Sequence, residues 1–179
     1  THKLFMWLEE HQIRVSARHI TGKLNVLADS LSRKGQIVPT EWSLCPQVVE
    51  RLWQIWDKPM VDLFATRFNN KMNLFFSPIP DPTAMGVDAL SVSWKGFLAY
   101  AFPPTAIVSK VLNKVEREDC VVILVAPLWT RQVWFPTLLE LLVDVPVQLP
   151  SKQKLLKQPQ SNVYHDNPQM MQLHAWRLS

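Results

Sequence analysis

Apolar positions along this chain follow two periods, and the switches between them mark out the elements. Leu44, Val48, Leu52 and Trp56 recur every fourth residue, the spacing of one face of an amphipathic helix. Ser43 is the expected N-cap of that helix and Pro46 falls in its first turn, where a missing N–H matters little. Pro59 is expected to stop it. Met60 to Ala65 then reads as a short strand buried on both sides, and residues 66–96, with Pro78, Pro80 and Pro82, read as loop. Phe97 to Phe102 forms a second apolar run closed by Pro103-Pro104. Thr105 is the expected cap of a helix whose inner face is Ile107, Val108, Val111, Leu112 and Val115. Val121 to Ala126 is the clearest strand, and Trp134, Leu138, Leu141 and Leu142 mark a helix after it. Fully apolar strands alternating with helices predict an α/β fold around a mostly parallel sheet with flanking helices on both faces.

The flanks read differently. In residues 1–35, Leu4, Trp7, Leu8 and His11 share a helical face, Ile13 to Ile20 alternates as a strand does, and Ser32-Arg33-Lys34-Gly35 closes a second helix. Residues 150–179, rich in Gln, Lys, Pro and Asn without sustained periodicity, read as a linker or surface arm. The expected organisation is therefore 1–35, 36–149 and 150–179.

Composition narrows the class. An apolar fraction of 47% in 179 residues is enough for a buried core. No apolar run reaches the roughly 18 residues of a membrane span, and the opening Thr-His-Lys is not a signal sequence. A cytoplasmic or nuclear location, with no membrane partner, is the expectation. Cys45 and Cys120 lack the spacing of a zinc site or a disulfide framework. The net charge of +4 is uneven: residues 1–34 carry six bases against three acids and residues 145–179 four against one, whereas residues 35–144 carry nine against eleven. That distribution makes the ends, not the centre, the expected phosphate contacts.

The run Arg18-His19-Ile20-Thr21-Gly22-Lys23-Leu24-Asn25-Val26-Leu27-Ala28-Asp29, continued by Leu31-Ser32-Arg33, resembles the C-terminal motif of retroelement RNase H domains linked to a reverse transcriptase. The resemblance implies that Asp29 is one of several carboxylates holding two Mg²⁺ ions at the scissile phosphate, and that His19 assists product release. Mg²⁺ prefers carboxylate and water oxygens, and a two-metal site needs several acids. Asp29 alone cannot build one, so this RNase H remnant is expected to be catalytically silent outside an intact RNase H.

Residues 41–149 resemble the phage-type Dam-like adenine-N6 methyltransferase domain of DIRS-type (tyrosine recombinase) retroelement polyproteins. The residues that carry the likeness are Glu41-Trp42-Ser43, Val61-Asp62-Leu63-Phe64-Ala65-Thr66-Arg67-Phe68-Asn69-Asn70, Asp88-Ala89-Leu90-Ser91 with Trp94, Ala101-Phe102-Pro103-Pro104, and Ala126-Pro127-Leu128-Trp129 with Trp134-Phe135. The closing His174-Ala175-Trp176-Arg177-Leu178-Ser179 resembles the join to the recombinase. The likeness implies a Rossmann-like sheet and a cleft for S-adenosylmethionine near Asp62, Phe102, Pro103 and Pro104. An active enzyme of this kind carries Asp or Asn, Pro-Pro and an aromatic at the motif that here reads Phe102-Pro103-Pro104-Thr105. The polar residue accepts from the adenine amino group and the aromatic stacks on the flipped base. Phe102 has no acceptor and Thr105 no stacking face. No glycine follows Asp62 until Gly86.

The leading expectation is a non-catalytic, methyltransferase-like spacer or docking domain joined to the end of an RNase H. It would meet element RNA or DNA through its parent polyprotein and adjoin the reverse transcriptase-RNase H and recombinase parts. Two alternatives stay open. One is an S-adenosylmethionine-dependent DNA adenine methyltransferase supported by Asp62 and Asp88. The other is a nucleic-acid-contacting module using Arg14, Arg18, Lys23, Arg33 and Lys34 with Lys152, Lys154 and Lys157.

Overall fold

The computed structural model describes residues 10–12, 42–151 and 154–179. The chain divides into two units, Thr1–Thr40 and Glu41–Ser179. His19, Asp29 and the basic residues Arg14, Arg18, Lys23, Arg33, Lys34 and Lys152 all lie outside the described residues.

The second unit is a mixed α/β domain built on a seven-stranded, mostly parallel sheet. Its strands are β2 (Val61–Asp62), β3 (Leu74–Ser77), β4 (Gly86–Val87), β5 (Leu98–Ala101), β6 (Val121–Pro127), β7 (Val147–Gln148) and β9 (Leu173–Leu178), in the order β4-β3-β2-β5-β6-β9-β7. Strands β4, β3, β2, β5 and β6 pair in parallel. β9 runs antiparallel to both β6 and β7. A separate two-stranded pair joins β1 (Ser43–Leu44) to β8 (Leu156–Lys157).

Alternation of side chains across the strands sends every second residue to each face, and both faces are covered. Ala99 and Ala101 of β5, Val122, Leu124 and Ala126 of β6, and Trp176 and Leu178 of β9 share one cluster with Val108, Val111, Leu112 and Val115 of helix α2 (Val108–Arg117) and Leu138 of helix α3 (Phe135–Glu140). On the other face, Tyr100, Ile123, Val125, Leu173 and Ala175 pack against Val49, Leu52 and Trp56 of helix α1 (Pro46–Trp56), with Leu44, Leu155 and Leu156. Burial on two sides explains why these strands are apolar throughout.

Several boundaries differ from the sequence pattern. Ser43 lies in β1, not at the N-cap, which is Cys45 without a side-chain cap bond. The buried row of α1 is accordingly Val49, Leu52 and Trp56, the i, i+3, i+7 spacing of a 3.6-residue period. Thr105 opens a 3₁₀ turn, Thr105–Ile107, ahead of α2 and makes no side-chain cap bond. The stretch read as loop contains β3 and β4, which are short and whose flanking prolines masked them.

The largest difference concerns the end of the chain. Residues 150–179, expected as a linker or arm, supply both β8 and β9. β9 pairs with β6 along its whole length, from Val122↔Leu178 to Pro127↔Leu173. Trp176 is 2% exposed and its indole N–H donates to the Ala126 carbonyl at 3.1 Å. Leu173, Ala175, Trp176 and Leu178 are buried while His174 and Arg177 are half-buried. Six residues flanked by Gln, Asn and Pro were too short a signal to stand out from their surroundings.

Candidate functional site

In a sheet whose strand order reverses direction, the crevice for a ligand lies beyond the carboxyl ends of the strands where the reversal occurs. Here β2 has β3 on one side and β5 on the other, so that place is the turn after Asp62 and the turn after Ala101. Asp62, Phe102, Pro103 and Pro104 all sit there, but they do not converge. Asp62 pairs in register with Tyr100, and Phe102, two residues on, packs with Tyr100 in the cluster under α1. Pro103 is buried. Pro104 alone lines a cleft, on the opposite face, with Leu63, Phe64, Ser77, Asp88, Leu90 and Ile107.

The Asp62 carboxylate is 2% exposed and already committed to its own loop. One oxygen accepts from the Phe64 N–H at 3.3 Å and the other from the Lys71 N–H at 2.9 Å. These bonds brace the turn from Leu63 to Asn73, which Thr66 and Asn69 close further: the Asn69 side-chain oxygen accepts from the Thr66 N–H at 2.6 Å. Lys71 reaches back to β1, its ammonium donating to Ser43 Oγ and to the Leu44 carbonyl, each at 2.8 Å. Burial lowers the Lys71 pKa, an effect countered by the negative charge of Asp62 and by Cys45. Pattern reasoning missed Lys71 because nothing in its local sequence distinguishes it from a surface lysine. Its role appears only from its bonds to Ser43 and Leu44, 28 and 27 residues away in the chain.

Tyr100 completes this polar island. Its ring meets Trp53 edge-on at 5.3 Å, and its hydroxyl is buried without a hydrogen-bond partner among the described residues. Burial, and then the nearby Asp62 charge, push its pKa well above 10. Above pH 10 the unfolded chain therefore loses a proton that the folded chain keeps, so stability falls as pH rises, by up to about 1.36 kcal/mol per pH unit. Tyr100→Phe removes both the unpaired hydroxyl and this titration. The variant is expected to be at least as stable as the parent at neutral pH and to show a shallower loss above pH 10. Urea unfolding across that range checks this, and equal slopes for the two proteins would contradict it.

The cleft itself is small. Its volume is about 120 Å³, below the roughly 300 Å³ at which ligand pockets for drug-sized molecules begin. Phe64 occupies the position where close backbone approach would call for glycine, and its ring lies edge-on to the buried Trp94 at 6.4 Å. No helix follows β2 before β3, so the helix N-terminus that receives anionic or polar ligands at such a turn is missing. Ser77 ends β3 with its hydroxyl accepting from the Ile79 N–H, where dinucleotide-binding sheets place a carboxylate for the ribose. Asp88, at φ 56° and exposed, accepts from the Leu90 N–H at 3.1 Å through one carboxylate oxygen. Of the residues that the resemblance assigns to S-adenosylmethionine, Asp62 is bonded within its own loop, and the Phe102 to Thr105 motif offers neither acceptor nor stacking face.

Among the described residues, no group of three or more His, Cys, Asp or Glu side chains is arranged to hold a metal ion, and no helix is long and apolar enough to cross a membrane. The Mg²⁺ expectation attached to Asp29 falls outside those residues. No protein-family model matches the sequence, and no curated protein matches it either.

Proposed function

We propose that residues 41–179 form a methyltransferase-like domain that has given up its cofactor and serves as a structural spacer or docking module. On this reading it lies inside a DIRS-type retroelement polyprotein, between the end of an RNase H and a recombinase. Two features support the lineage. The residues around Asp62, Asp88, Pro103 and Trp129 resemble that domain family. In addition, a mostly parallel sheet covered on both faces, with β3 and β5 on either side of β2, suits the Rossmann-like sheet that the resemblance implies.

One observation carries the loss of activity: the switch-point turn is filled from within. Phe64 stands against Trp94 at the mouth, and both oxygens of Asp62 are taken by backbone N–H groups of the same loop. Recruiting the Asp62 carboxylate to a ligand would require breaking those bonds, and hydrogen bonds to charged groups contribute about 1.5–3 kcal/mol each. Calorimetric titration of the full chain with S-adenosylmethionine tests the proposal. No heat and no thermal shift at millimolar ligand is the expected result. Micromolar binding abolished by Phe64→Trp, which would fill the turn further, would overturn it.

A further inference from the structure

Next to the switch-point cleft, with which it shares Leu90, helix α2 borders an open groove of about 390 Å³ lined by Leu90, Lys110, Asn113, Lys114, Arg117 and Glu118. Lys110, Asn113, Lys114 and Arg117 are spaced i, i+3, i+4 and i+7, which puts them on one helical face. The opposite face of the same helix is the buried row Val108, Val111, Leu112 and Val115, so the polar face is held in a fixed orientation by the core. Lys110, Asn113 and Arg117 are exposed.

The one acid in the groove is already neutralised. Glu118 accepts from the Lys114 ammonium at 2.6 Å through one oxygen, and through the other from the Trp94 N–H. Lys114 is further held over the Trp94 ring at 5.3 Å. Lys110 and Arg117 have no ion-pair partner among the described residues. The groove therefore presents two unpaired cations about 10 Å apart along the helix axis, with the Asn113 amide between them and the half-buried Leu90 on the far wall.

We infer that this groove binds the phosphodiester backbone of a nucleic acid. Each strand of a duplex carries one charge per 3.4 Å or so of its axis, so the separation of Lys110 and Arg117 lets the two cations reach different phosphates of one strand. Arg117 can take a phosphate through two N–H groups and Lys110 as a point charge. Asn113 can donate to the phosphate between them. This contact involves the centre of the chain, which by net charge alone looks unsuited to nucleic acid. It also stands apart from the methyltransferase reading, since neither Lys110 nor Arg117 touches the switch-point cleft.

Fluorescence anisotropy of the full chain with a labelled mixed-sequence DNA duplex, followed from about 50 to 200 mM salt, tests the inference. Lys110→Glu/Arg117→Glu is expected to weaken binding by tenfold or more. Its log affinity against log salt should be shallower by about 1.8, which is 0.9 for each of two lost phosphate contacts. Its thermal midpoint should stay close to the parent's because both side chains are exposed. Three results would overturn the inference: no binding by the parent chain, unchanged affinity and slope in the variant, or equal competition by polyglutamate, which would make the groove an acidic-peptide site.

Discussion

Trp176→Ala is expected to destabilise the domain by about 4 kcal/mol, within the range of about 3–5 kcal/mol for deleting a buried tryptophan or phenylalanine side chain. Trp176 is the largest side chain that β9 buries. It packs edge-on against Phe135 of α3 at 6.0 Å and donates to the Ala126 carbonyl across the β6–β9 pair. Its removal opens a cavity between the sheet and α3 and strips an acceptor of its partner. Met170, three residues before β9 and 76% exposed, supplies the control, and Met170→Ala should change stability by less than about 0.5 kcal/mol. Urea unfolding of both variants separates a tail that completes the sheet from one that lies over its surface. Small and equal losses would argue for the latter.

Asp62→Ala should lower stability by about 3–5 kcal/mol, the usual effect of removing one partner from a buried charged arrangement. Two backbone N–H groups, of Phe64 and Lys71, lose their acceptor, and the Lys71 ammonium loses the nearby negative charge that offsets its burial. Asp62→Asn, which retains one acceptor oxygen, should lose less. Pairing Asp62→Ala with Lys71→Met should give a combined loss smaller than the sum of the two, because the second change removes the cation left uncompensated by the first. A carboxylate kept free for a cofactor would behave differently: its removal would leave unfolding nearly unchanged, and the two substitutions would add.

The long strands and helices were legible in the sequence because their side chains face a packed core on a regular period. Val121 to Ala126 and the inner face of α2 read directly from that period. β2 read as part of the apolar run from Met60 to Ala65, longer than the two residues that pair, whereas two-residue β4 carries almost no periodic information and β9 lies in a polar setting that dilutes its burial pattern. The missing glycine after Asp62 and the acceptor-less Phe102 were visible as letters. What they do in space was not. Asp62 and Phe102 project from the same face as Tyr100, whereas the small cleft opens on the other, and that separation follows from the pleat of β2 and β5, which a motif read along the chain does not reveal. Lys71 and Tyr100 were silent for a related reason: each is ordinary locally, and only distant partners, Ser43 and Leu44 of β1 for one and Trp53 of α1 for the other, reveal a part-buried cation and an orphaned hydroxyl.

Heteronuclear NMR spectra of the full chain, recorded while S-adenosylmethionine is added to millimolar concentration, test the central claim most directly, since the backbone amides of Asp62 to Thr66, Phe102 and Thr105 report individually. A turn filled by Phe64 and braced by Asp62 predicts amide resonances there that do not move. Saturable shifts confined to those residues would contradict it.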